Sequence, residues 1–159
     1  LLVPVGFASG RGFVLFEPGA EELTWSTAQA SEEPMASAVA IGDLVWVLDL
    51  RLGLHGLDVA TGTPVATARL PAGDDAEGLI HEGQTSLAVG DDGTLWAVEQ
   101  AAQMLVRLDP LTGAAIGTWH LDRVPGSIVL LDGTIWTNNP TDESLTGIDL
   151  AQLPDTSDE

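Results

Sequence analysis

The chain has 159 residues, 45% of them apolar, and sets 24 acidic residues against 5 basic ones, all arginine, for a net charge of -19. That length and apolar content suit one globular domain with a substantial core. The acidity repels phosphate and argues against nucleic acid and anionic membrane surfaces, leaving basic proteins, cations or plain solubility, and it also fits a salt-adapted or GC-rich source. The absence of cysteine excludes disulfides and thiolate metal sites, and no apolar run reaches the roughly 20 residues of a membrane helix.

The elements follow from self-similarity. Trp46, Trp96 and Trp136 each stand shortly after a Gly-Asp or Asp-Gly turn, and each is followed by an acidic residue, Asp58, Asp109 or Asp149, that closes the next strand. Trp96 to Trp136 spans 40 residues, as does Asp109 to Asp149, which is the length of a four-stranded propeller blade. Trp46 to Trp96 spans 50, the additional residues falling between Leu70 and Thr85. With strands lettered A to D from the axis outward, a first blade (about 1–30) starts at B, with strands Leu2 to Phe7, Gly12 to Glu17 and Glu22 to Thr27. The second (about 36–70) reads Ser37 to Ile41, Leu44 to Leu50, Leu54 to Asp58 and Val65 to Leu70, and a long acidic loop covers 71–85. The third (about 84–121) reads Ser86 to Val89, Leu95 to Glu99, Met104 to Asp109 and Ala115 to Leu121. The fourth (about 126–153) reads Ser127 to Leu131, Thr134 to Thr137 and Leu145 to Asp149, then frays.

The B strands, Val-Trp-Val-Leu and Leu-Trp-Ala-Val, are apolar on both faces. A half-exposed sheet alternates, whereas a blade sandwiched between neighbouring blades does not. Helical periodicity is absent, and Gly or Pro interrupts most windows of helical length. The expectation is therefore an all-β fold, a β-propeller of about three and a half blades belonging to a larger ring. Leu1 is neither an initiator Met nor part of a basic leader, so the native start and any signal peptide are expected upstream, in an extracytoplasmic or secreted protein. Other polypeptide is expected to complete the ring, in preference to a second copy, because one copy would finish on strand C and the next begin on strand B.

The run D-G-T-L-W-A-V-E-Q, then L-V-R-L-D-P-L-T-G, V-P-G-S-I-V and D-G-T-I-W, resembles the streptogramin lyase (virginiamycin B lyase-like) group and the neighbouring YVTN and NHL-type propeller repeats. The likeness covers Ser86 to Asp149 well and Ala36 to Leu70 moderately. It implies a propeller fold and a ligand site at one end of the central channel, where the loops after strand B and those joining D to the next A emerge together. That group writes W-F-T-E at the end of strand B, and Glu99 matches the terminal acid. Asn138, and Asp49 or Leu48, stand at the equivalent places in the other blades.

Candidates on that loop face are Asp74, Asp75, Glu77, His81 and Glu82 from the long loop, with Glu99, Asn138, Asn139, Asp142 and Asp49 from the B ends. Their oxygens suit a hard divalent cation such as calcium or magnesium, although the spacing is not that of a calcium-binding loop. No two of His55, His81 and His120 share metal-ligand spacing and no nucleophile motif accompanies them, so His55 and His120 read as structural. The three repeated tryptophans read as packing between blades. Trp119 follows the turn glycine Gly113 by six residues, not the four of a quinone-binding docking motif. The functional expectation is a non-catalytic binding or scaffold module for a protein partner or small ligand. The alternatives are a lyase-like enzyme using a divalent metal and a structural subunit of a larger assembly.

Overall fold

Turn chemistry lays out the strands. Asp132 and Gly133 both have positive φ, 49° and 73°, the conformation of a tight two-residue hairpin, and Asp-Gly supplies it at little steric cost. Asp58 and Asp109 open two further hairpins by side-chain capping instead. Each carboxylate accepts the backbone N–H two and three residues on, from Ala60 (3.1 Å) and Thr61 (2.8 Å), and from Leu111 (2.9 Å) and Thr112 (2.8 Å). The threonine hydroxyl of each turn donates to the same oxygen.

The computed structural model describes residues 2–7, 10–15, 25–26, 35–71 and 85–154. β1 (Leu2–Phe7), β2 (Gly10–Leu15) and β3 (Trp25–Ser26) form an antiparallel sheet in that order. β4 (Met35–Ile41), β5 (Leu44–Asp49), β6 (Gly53–Asp58) and β7 (Pro64–Arg69) form the second. β8 (Ser86–Val89), β9 (Leu95–Glu99), β10 (Met104–Leu108) and β11 (Ala115–His120) form the third. β12 (Ile128–Leu131), β13 (Thr134–Asn139) and β14 (Ser144–Asp149) form the fourth. A 3-10 turn, Leu150–Gln152, follows β14 where an outer strand would run, capped by Asp149. Among the described residues no helix is long and apolar enough to cross a membrane. The protein is all-β, four meandering sheets arranged as part of a propeller.

The two-faced apolar strands are explained by packing on both sides. In β5, Val45 and Val47 enter one cluster with Met35 and Leu57, while Trp46 and Leu48 enter another. That second cluster takes Leu95 and Ala97 from one face of β9. The opposite face of β9 contributes Trp96 and Val98 to a third cluster, with Ile128 and Ile135 of the fourth sheet. β5 and β9 are thus each shared between two clusters. The inner strands are also stitched directly: Leu87 N donates to Ser37 Oγ (3.0 Å), and Ile128 N to Ser86 Oγ (3.3 Å).

The tryptophans at equivalent positions meet different surroundings. Trp46 is fully buried, and its indole Nε1 donates to the Pro110 carbonyl at 2.9 Å, reaching from the second sheet into the Asp109–Gly113 turn of the third. Gly113 has φ +72°, and a Cβ there would meet the Trp46 ring at 2.7 Å, so only glycine seats this turn on the indole. Trp96 is also buried, its Nε1 donating to Thr94 Oγ1 at 2.9 Å and its ring 5.5 Å from that of Trp119. Trp119 Nε1 in turn donates to the Pro154 carbonyl at 3.0 Å, which ties the end of the 3-10 segment to the third sheet. Trp136 departs from the expectation of a buried inter-blade residue, because it is 37% exposed. Burial at this position needs a blade against the outer face of the fourth sheet, and no described residue supplies one.

Candidate functional site

At the fourth sheet, the turn between β13 and β14 and the connection that enters β12 emerge on the same side. Arg123, in the connection before β12, donates to Asp142 Oδ2 and to Ser144 Oγ (2.8 Å) in the β13–β14 turn. Ser127 N donates to Asn138 Oδ1 at 2.8 Å, and Gly126 N to the Asn138 carbonyl at 2.7 Å. The two loop types are therefore braced against each other at the fourth sheet.

The acids that end the central strands face inward. Asp49 is 4% exposed; its Oδ1 accepts from Arg51 N and Gly53 N, both at 2.8 Å, and its Oδ2 meets His55 Nε2 at 2.9 Å. Burial pushes the Asp49 carboxyl up, but the His55 hydrogen bond, those from the Gly53 and Arg51 N–H groups, and the imidazole charge together outweigh it and hold it below the usual carboxylate value. The same geometry recurs one sheet on. Glu99 is fully buried and accepts from Ala101 N (3.1 Å) and Ala102 N. Sheet register puts Asn139, not Asn138, at the third equivalent place, three residues after Trp136 and paired with Ser144. Asn139 is 1% exposed and donates from Nδ2 to Ser144 Oγ (2.9 Å) and Thr146 Oγ1 (2.8 Å), while its Oδ1 has no hydrogen-bond partner among the described residues.

Asp49 and Glu99 hold tight turns, and those turns and the one after Asn139 each carry a left-handed residue that is not glycine: Leu52 (φ 66°), Gln103 (φ 54°) and Glu143 (φ 57°). A left-handed leucine is costly; Leu52 is kept there by full burial and by its N–H donating to the Asp49 carbonyl at 3.1 Å. Side-chain polar atoms at strand ends thus satisfy turn N–H groups that would otherwise be orphaned.

Of the sequence candidates, Glu99 is an interior capping group, and Asn139 is buried against the Ser144 and Thr146 hydroxyls. Asn138 and Asp142 lie at the braced loop edge, with Asp142 exposed and held low by the Ser144 hydroxyl. Asp74, Asp75, Glu77, His81 and Glu82 lie outside the described residues. Among the described residues no group of three or more His, Asp or Glu side chains is placed to hold a metal ion. His55 was legible as structural because it sits inside a strand, but its partner Asp49 was not, since acid and imidazole meet only across the β5–β6 pairing. Arg123 was missed; a lone arginine before a strand carries no signal of its partner.

No protein-family model matches the chain, and no curated protein matches it. Solved structures do. BamB from Moraxella catarrhalis is 22% identical with a TM-score of 0.68, over 96% of this chain and 44% of its own. The WD40 β-propeller domain of Doa1 is 11% identical with a TM-score of 0.64, over 84% of this chain and 42% of its own. The computationally designed Ika4 protein is 13% identical with a TM-score of 0.66, over 94% of this chain and 85% of its own. The chain thus spans less than half of BamB and of the Doa1 chain. At these identities the likeness shows the fold alone: the architecture is that of part of a β-propeller.

Proposed function

We propose that this chain is a non-catalytic propeller module that binds a basic protein partner at the face formed by the sheet-to-sheet connections and the turns after the central strands. The observation that carries the reading is the division of labour among its acids. Asp49 and Glu99 are consumed in holding turns, while Asp122, Asp142 and Glu143 stand exposed on a loop edge braced by Arg123. An acidic, rigidly held loop edge attracts basic surfaces and pays little ordering entropy on binding. The long-loop acids Asp74, Asp75, Glu77 and Glu82 belong to the same face in this reading.

The test is calorimetric titration with an arginine-rich peptide at low and high salt. Two variants that remove three charges each are compared, one neutralising Glu82, Asp122 and Glu143 to their amides, the other neutralising the turn acids Asp43, Asp91 and Asp132 at the opposite end of the sheets. Binding weakened at least about tenfold by the first and barely by the second is expected. Equal weakening by both would reduce the effect to net charge and overturn the reading.

A further inference from the structure

The fourth sheet is buried on one face only. Along β13 the pattern alternates, with Ile135, Thr137 and Asn139 buried and Trp136 and Asn138 exposed, unlike β5 and β9. The open face carries Val129 (59% exposed), Leu131 (58%), Trp136 (37%) and Leu145 (65%). Contiguous apolar surface of this kind marks an interaction site.

What fits it can be read from the interface between the second and third sheets. Trp46 lies across β6 opposite Gly56, and a Cβ on Gly56 would meet its ring at 3.0 Å. Trp136 lies across β14 opposite Gly147, again with a ring atom 3.0 Å from the Cβ position. Trp96, by contrast, faces Arg107, whose guanidinium stands 5.9 Å from the ring centroid. Trp136 is therefore of the Trp46 kind, a flat indole laid over a glycine. Trp46 uses its free surface and its Nε1 to receive the Asp109-Pro110-Leu111-Thr112-Gly113 turn of the next sheet. The Trp136 indole makes no hydrogen bond among the described residues. A second contact repeats independently. Ser37 Oγ receives Leu87 N and Ser86 Oγ receives Ile128 N. Ser127 is next in that series, exposed, and its hydroxyl is unengaged among the described residues.

We propose that the outer face of the fourth sheet is the docking site for a further four-stranded blade of different polypeptide, carrying an Asp-Pro-x-Thr-Gly turn. The turn glycine seats on the Trp136 ring, the carbonyl of the residue after the aspartate accepts the indole N–H, and an inner-strand N–H donates to Ser127 Oγ. A second copy of this chain does not fit as well. Its first repeat reads Glu17-Pro18-Gly19-Ala20-Glu21, with glutamate where the seated glycine must be. This site is separate from the loop face, so failure of either reading leaves the other standing.

The experiment extends the full chain after Glu159 with a second copy of residues 71–125, which contains the required turn. Hydrogen exchange of the tryptophan indole protons is followed by NMR, with Trp46 as the internal reporter of folding. Trp136 is expected to exchange at least about tenfold more slowly in the extended chain than in the original. Glycine→valine in the added turn is expected to restore fast exchange while Trp46 stays protected. Unchanged Trp136 exchange beside a protected Trp46, or protection that survives the valine, overturns the proposal. So does protection of Trp136 in the original chain together with dimerisation in sedimentation, which would assign the face to a second copy. If the extension unfolds Trp46 as well, Trp136→Ser with Leu145→Ser in the original chain decides. An unchanged urea midpoint supports an open face, and a lowered one shows that the chain already covers it.

Discussion

His55 Nε2 and Asp49 Oδ2 meet at 2.9 Å across the β5–β6 pairing, with two backbone N–H groups closing on the other carboxylate oxygen. The carboxylate organises the whole turn, and its protonation is coupled to folding. A carboxyl held below its unfolded value contributes stability that is present above the ordinary carboxylate range and lost as pH falls through the folded pKa. Asp58, held low by the Thr61 hydroxyl, and Asp109, held low by the Thr112 N–H, act in the same direction. Relief of repulsion from the net charge of -19 opposes this at milder acidity. Urea unfolding across pH is expected to show stability level or rising from neutral to about pH 5, then falling steeply below about pH 4. Asp49→Asn should lower stability at neutral pH and flatten the acid fall.

Gly113 and Gly93 separate two costs of replacing a left-handed glycine. Both have positive φ, but a Cβ on Gly93 meets nothing within 4 Å, whereas one on Gly113 collides with Trp46. Gly93→Ala should cost about 1 kcal/mol, the backbone penalty alone. Gly113→Ala adds displacement of a buried indole and should cost about 3 kcal/mol. Thermal or urea unfolding measures both.

The three repeated tryptophans should rank by burial, not by sequence equivalence. Trp46→Ala and Trp96→Ala are each expected to cost about 3–5 kcal/mol, because they open cavities in different inter-sheet clusters. Trp136→Ala should cost less than about 1 kcal/mol in this chain. Equilibrium denaturation of the three variants gives the ranking directly.

The aspartate turns should behave as independent modules. Asp58→Ala and Asp109→Ala each remove an acceptor for two backbone N–H groups and a hydroxyl, and each should lower the urea midpoint. In the double variant the two shifts should add, as the two carboxylates share no hydrogen-bond partner. A urea-unfolding cycle checks this.

The fold class was legible in the sequence because its determinants are local or periodic. Asp-Gly and Asp-Pro-Leu-Thr-Gly turns set the hairpins, and central strands apolar on both faces required a neighbour on each side. The site was less legible, because burial of a polar group is a property of what lies across from it. Asp49 and Glu99 read as exposed loop-face acids until strand pairing turned them onto the N–H groups of their own turns, and Asn138 took the place of Asn139 until the register fixed which residue points inward. Trp136 matches Trp46 in repeat position and in the glycine opposite. Sequence by itself determined that both indoles are expected to pack between blades. Only the tertiary structure decided that Trp46 has a glycine turn above it, from Gly113, and that the described chain gives Trp136 none, because that contact is made between sheets and not within one.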